Sequence, residues 1–304
     1  MTLAECIERG AKQLQAAGVS FGQGTTNAFD EAAWLVLWQL GLPLDTDLAD
    51  SAHTNRPLTA PELAQVEALF ANRISSRKPA AYLTQEAWLQ GVPFYVDERA
   101  IVPRSLIAEL LADGSIDPWL GESTQNVLDL CTGNGSLAIL AAMAFPDIQV
   151  TGSDLSADAL DVARINVDKH ALAQRIALIR SNGLRAPQLQ ARGPFDLILC
   201  NPPYVSAPSM ASLPAEYRAE PAMALDGNMN GSTDGMDFIR DLLQVAPQHM
   251  TENAVLVLEI GNERGHFEAA FPHLESVWLT TSAGDDQVLL LTRATLTVAI
   301  QSRT

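Results

Sequence analysis

Apolar positions recur at helical spacing through roughly the first 88 residues, then give way to short apolar runs separated by glycine- and proline-containing breaks. Thr2 with Glu5 reads as a capping box, and Ile7, Ala11 and Leu14 follow on one face. A glycine-rich break covers 18–26. Residues 30–40 read as a largely buried helix, stopped by Gly41 and Pro43. Thr59 with Glu62 is a second capping box, Pro61 sits in the first turn, and Leu63, Val66, Leu69, Phe70 and Ile74 share a face. A small helical bundle is predicted here. It shows no cluster of titratable residues, which favours packing or partner recognition over catalysis. Residues 88–96 and 100–104, joined across Asp97-Glu98-Arg99, read as a β-hairpin leading to a helix over 107–111 capped by Ser105. Strands are then predicted at 126–130, 149–154, 176–179, 195–200, 254–260, 277–279 and 287–291, with helices at 137–145, 159–170, 238–246 and 265–271. This is an α/β pattern. Residues 205–234 are polar with little periodicity and read as a long functional or mobile loop, flexible over 226–232. Residues 296–304 carry no readable signal.

The run 195–200 ends in Asn201-Pro202-Pro203-Tyr204. Neither proline has an N–H, and each holds the residue before it extended, so a stiff tetrapeptide is expected at a strand's C-terminal end, where open α/β sheets bind ligands. The Asn201 side-chain oxygen and the Pro202 carbonyl form a pair of acceptors suited to the two hydrogens of an –NH2 group. Tyr204 offers a flat face to a planar amide or base. A second pocket signal is the turn 131–136 between strand and helix, where Gly133 and Gly135 let the backbone approach a ligand. With Ala138 three residues on, a dinucleotide site is not excluded by glycine count. Asp154, about twenty residues further, closes the next strand, where a carboxylate accepts both ribose hydroxyls of a nucleoside.

Composition narrows the partner class. The 304 residues suffice for two domains, and a net charge of −17 with pI near 4.5 argues against a nucleic-acid enzyme. Cys6, Cys131 and Cys200 are far apart, which points to a reducing compartment rather than disulfides or zinc, and the five histidines show no ligand spacing, so no metal is expected. The longest apolar stretch, 32–42, is interrupted by Gln39 and too short for a bilayer, and no basic-then-apolar leader opens the chain. A cytoplasmic protein with no membrane partner is expected.

The Asn-Pro-Pro-Tyr tetrapeptide resembles that of the amino-methyltransferases that use S-adenosyl-L-methionine, a group with both protein-glutamine and DNA-adenine members. Asp129-Leu130-Cys131-Thr132 resembles their first motif. Phe94, Val102-Pro103-Arg104-Ser105 and Ala108-Glu109-Leu110 resemble the linker of the protein-(glutamine-N5) methyltransferases, closest to the ribosomal protein L3 branch, with Leu106 where proline is usual. Glu216, Glu220-Pro221 and Ala224-Leu225 match the loop of the same family. The resemblance implies a Rossmann-like class I fold with a seven-stranded sheet, divided as a helical bundle for substrate recognition (1–88), a β-hairpin linker (89–110) and a methyltransferase domain (111–304). It implies catalysis by Asn201, Pro202 and Tyr204. It implies cofactor contacts from Asp129, Cys131, Thr132, Gly133, Asn134, Gly135, Asp154, Asn182 and Asn201, with Cys131 a small packing residue rather than a chemical group. Substrate contacts would come from Asn201, Pro202, Pro203, Tyr204, Phe94 and Arg104, with Glu109 helping to position the target loop. The implied reaction is N5-methylation of a glutamine in ribosomal protein L3 before ribosome assembly, with no direct nucleic-acid substrate. The Gly-Gly-Gln glutamine of release factors, DNA adenine, and a non-catalytic cofactor-binding or assembly role stay as alternatives.

Overall fold

The structure, a computed structural model, describes residues 1–301. Both capping boxes form. Thr2 Oγ1 accepts from Glu5 N while Glu5 Oε2 accepts from Thr2 N, starting the helix Leu3–Ala16. Thr59 and Glu62 do the same for Ala60–Ser76. Between them Asn27 caps Ala28–Gln39 by accepting from Asp30 N at 2.9 Å. Their facing sides join in one apolar cluster that includes Leu3, Ile7, Leu14, Leu35, Val36, Val66 and Phe70. Contrary to the sequence expectation, this cluster encloses charge: Arg73 and Glu31 are both buried and paired at 2.8 Å.

Among the described residues the strands are β1 (Ala87–Leu89), β2 (Val92–Phe94), β3 (Asn126–Leu130), β4 (Gln149–Asp154), β5 (Ile176–Arg180), β6 (Phe195–Cys200), β7 (Met250–Glu259), β8 (Val277–Thr281) and β9 (Gly284–Thr292). The last seven form one sheet in the order β5-β4-β3-β6-β7-β9-β8, and only β9 runs against its neighbours. Alternate residues point to opposite faces. Val127, Leu197, Leu199, Val255 and Val257 pack on one side against Ile107–Ala112 and Ser136–Ala144. Leu128, Leu130, Ile198, Leu256 and Leu258 pack on the other against Asp237–Val245. With both faces covered, only the strand ends are open, and the order reverses between β3 and β6, which puts a crevice at their C-terminal ends. No helix among the described residues is long and apolar enough to cross a membrane.

Several elements differ from the sequence reading. The hairpin pairs β1 with β2, closed by Gln90 and Gly91, both at positive φ, which suits a two-residue turn. Residues 100–104 form no strand, because Pro103 has no N–H and Val102 N donates to Glu220 at 3.0 Å. The segment 205–234 is organised: it holds the helices Ala207–Ser212 and Ala215–Arg218, and Val205 bridges to Asp226. Its Asn/Gly-rich part is tied down by Asn228, whose amide donates to Val205 O and accepts from Gly235 N. Residues Arg293–Gln301 form a helix anchored through Leu296, where no signal was read; 302–304 lie outside the described residues. Phe94, expected at the substrate, is fully buried in the core with its ring 5.5 Å from His170. Its direction follows from strand alternation in β2, which turns Phe94 inward. Phe94→Ala is therefore expected to cost ~3–5 kcal/mol in urea unfolding, with substrate affinity of the folded fraction unchanged.

Candidate active site

A cavity of about 510 Å³ opens over the C-terminal ends of β3, β4 and β6. One wall is the turn after β3. Cys131 (φ +62) and Gly133 (φ +54) bend it, and Thr132 N and Gly133 N tie it to β4 through Ser153 O and Asp154 Oδ2, both at 2.9 Å. Ser156 N donates to the other Asp154 oxygen at 2.9 Å and Ser156 caps the next helix, Ala157–Lys169, so Asp154 is held from both sides. Burial raises its pKa. Cys131, Thr132, Gly133, Asn134, Asp154 and Asn182 all line the cavity. Asn134 Oδ1 accepts from Ser136 N, leaving its buried Nδ2 without a partner among the described residues, and buried Ser153 Oγ is likewise unpaired. Unmatched polar groups at the wall of a largely apolar cavity, beside a carboxylate, fit a polar nucleoside ligand.

Two residues expected to touch the cofactor do not reach the cavity. Asp129 lies beneath the turn, where one oxygen accepts from Thr132 Oγ1 and from Ala138 N at 2.9 Å; burial pushes its pKa up to about 7. It fixes the turn's shape instead. Gly135 is a packing glycine: a Cβ there would stand 3.1 Å from that of Ala163, so the residue lets the helix Ser136–Ala144 approach Ala157–Lys169. The Cys131 thiol is pushed well above its ordinary pKa by the neighbouring Cys200 and by burial, which leaves it a packing group.

The opposite wall is the tetrapeptide after β6. Asn201, Pro202, Pro203 and Tyr204 all line the cavity, and the Asn201 and Asn182 side chains make no hydrogen bond to the described residues. Burial, then the nearby carboxylate of Glu259, raises the pKa of the Tyr204 phenol. Glu259 accepts from Ser105 Oγ at 2.6 Å and Leu106 N at 2.9 Å, and burial raises its pKa. Sequence reading passed over Glu259, although it closes β7 in the same manner as Asp154 closes β4; that position was the available signal. Arg104 lines the cavity with its charge already matched, since Glu220 grips it at 2.6 and 2.8 Å and its guanidinium lies 5.3 Å from the Tyr217 ring centre. Glu109 is away from the cavity and accepts from Ser282 N and Oγ, so it does not position a target loop there.

The methyltransferase small domain model matches residues 109–215. The hMettl16 catalytic domain superposes with a TM-score of 0.50 over 77% of this chain and 81% of that one, at 12% identity, a likeness of fold alone. Fold, crevice and matched domain together define a class I methyltransferase whose methyl donor is S-adenosyl-L-methionine. The chain is 50% identical over 97% of its length to the ribosomal protein uL3 glutamine methyltransferase of Bordetella pertussis, spanning 96% of that protein. It is 50% identical to the enzyme of that name from Burkholderia pseudomallei (95% and 94% covered) and 44% identical to that from Neisseria gonorrhoeae (97% and 95%). It belongs to the family of ribosomal protein uL3 glutamine methyltransferases.

Asp129 also makes stability depend on pH in a defined sense. Its folded pKa of about 7 lies above the ordinary 3.8, so between those values the native state binds the extra proton. Stability from this group falls as pH rises through that window, by up to ~1.4 kcal/mol per unit, and levels off above it. Asp129→Asn can keep both accepted hydrogen bonds. Subtracting its pH–stability curve from the wild-type curve should leave that slope, read by urea titration from pH 4 to 8.

Proposed function

We propose that this chain transfers the methyl group of S-adenosyl-L-methionine to the side-chain amide nitrogen (N5) of a glutamine in ribosomal protein L3 (uL3), in the cytoplasm and before ribosome assembly. The observation that carries this reading is the unengaged Asn201 amide, held beside the Pro202 carbonyl at the cavity wall, in a chain of this family. A net charge of −17 suits a basic protein target better than a nucleic acid. The relatives carry the uL3 name, which favours L3 over release factors.

The donor supplies an electrophilic methyl group on a positively charged sulfur. Asp154 would accept its ribose hydroxyls, the turn Cys131–Asn134 would face its methionine part and ribose, and Asn182 its adenine. An amide nitrogen is a poor nucleophile, because its lone pair is delocalised into the carbonyl. Asn201 and the Pro202 carbonyl accept its two N–H bonds, pyramidalise it and aim the lone pair at the methyl carbon. Orientation of this kind lowers barriers by up to ~7–11 kcal/mol in ideal cases. The two hydrogen bonds strengthen as positive charge develops on nitrogen; the methyl–sulfur bond would break as the carbon–nitrogen bond forms, S-adenosylhomocysteine would leave, and one amide proton would be lost to solvent to give the neutral N5-methyl amide. Tyr204 packs on the amide plane, and Pro203 stiffens the acceptor pair. Arg104, bound to Glu220, shapes the wall on the substrate side. Residues 1–88 serve in recognition of the protein substrate, 89–110 as the link and 111–304 as the methyl-transfer unit.

Radiolabelled S-adenosyl-L-methionine offered with ribosome-free L3, a class I release factor and DNA should label L3 alone, and no longer when its target glutamine is changed. Label on the release factor or on DNA would overturn the substrate assignment. Asn201→Ala should lower kcat by roughly a hundredfold or more while cofactor Kd, read by calorimetry, moves less than about threefold. Near-normal turnover in that variant would refute the mechanism.

A further inference from the structure

Glu216 is completely buried, yet it belongs to the segment after the Asn-Pro-Pro-Tyr stretch and ends up among the N-terminal helices. Its Oε1 meets Arg77 Nε at 2.8 Å and Arg73 Nη1 at 3.5 Å, and accepts from Ser20 N at 3.2 Å. The same two arginines hold the glycine-rich segment 17–25. Arg73 Nη2 donates to Ser20 O at 3.1 Å, and Arg77 donates to Ala17 O at 3.0 Å and Gly18 O at 2.6 Å. Glu31 completes the cluster by accepting from Arg73 Nε and from Thr25 Oγ1. Two guanidinium groups therefore face two carboxylates, with both segments pinned to one neutral set of charges.

The two segments also meet at the cavity. Gly22 and Tyr217 both line it, and a Cβ on Gly22, whose φ is +120, would lie 2.5 Å from the Tyr217 hydroxyl. Only glycine permits that approach. Tyr217 in turn lies against Arg104, which Glu220 grips. A continuous path thus runs from the helix Ala60–Ser76, through Glu216 and Tyr217, to the wall holding Arg104. Apart from Asn201, the proposed cofactor residues are carried by other elements, the ends of β3 and β4 and the segment after β5.

We propose that the Arg73–Arg77–Glu216 cluster is a latch through which the N-terminal helices set the shape of the substrate side of the cavity. Arg77 and Glu216 are positioning residues for the protein substrate and not for the methyl donor. This rests on the reading of L3 as substrate. Arg77 is the practical lever, because its side chain is 28% exposed and its removal leaves a smaller buried imbalance than removal of Arg73. In methylation of ribosome-free L3, Arg77→Ala and Glu216→Gln should each raise KM for L3 roughly tenfold. Cofactor Kd and kcat per folded enzyme should stay within about twofold. The double variant should be no worse than the worse single, because both lie on one path. Arg77→Lys, which keeps a donor and the charge, should recover part of the KM. Unchanged KM with only the folded fraction reduced, or cofactor Kd moving in step with KM, would overturn the latch. Hydrogen exchange reads it without turnover: in Arg77→Ala, amides in 17–25 and 213–221 should both exchange faster, and unchanged exchange in either would refute it. A wild-type enzyme that leaves L3 unmethylated would refute the substrate reading while the exchange result still decides the latch.

Discussion

The site depends on β3 and β6 lying side by side and ending at the same level, with Leu130 paired to Cys200. Beyond that pair the two chains must part, since their connections lead to opposite sides of the sheet. They part by opposite means. After β3 the backbone folds sharply, with Cys131 in the left-handed region. After β6 two successive prolines keep it straight. One exit makes a curved cradle and the other a stiff bar, and the space between them is the cavity. Asp129 under the cradle holds it in shape, while Glu259 at the end of β7 anchors Ser105 and Leu106 beside the cavity.

Much of this was legible because its signals are local. A capping box, a run of apolar residues before a glycine turn, or an Asn-Pro-Pro-Tyr stretch declares itself within a few positions. What stayed hidden depends on where a side chain points after the chain has folded. Phe94 and Arg104 sit in neighbouring segments with equal chemical plausibility, yet β2 turns the first into the core and leaves the second at the cavity. Asp129 and Asp154 both stand in glycine-turn neighbourhoods, and only strand alternation separates a carboxylate below the turn from one beside it. The Arg73–Glu216 contact joins residues 143 positions apart. Nothing in the periodicity of either segment announces it.

The loop after Tyr204 shows how a polar stretch without periodicity can still be ordered. Glu216 and Glu220 are four apart, yet they serve two different anchorages, the first among the N-terminal helices and the second on the Val-Pro-Arg segment. Each removes backbone freedom from one end of a short piece of chain. In so acidic a protein the surface carries the excess charge, while these buried carboxylates are individually matched to guanidinium groups.

A bar that cannot flex also acts as a gauge of length. On the proposed mechanism, with the acceptors at Asn201 and Pro202 fixed to the end of β6, a side chain would have to bring its amide to one depth and no other. Asparagine carries the same amide on a stem one methylene shorter, and would stop about 1.5 Å short of that depth. On that mechanism two amino acids that offer identical hydrogen-bonding groups would be told apart by reach alone, and the rigidity of a proline pair would become a means of choosing between them.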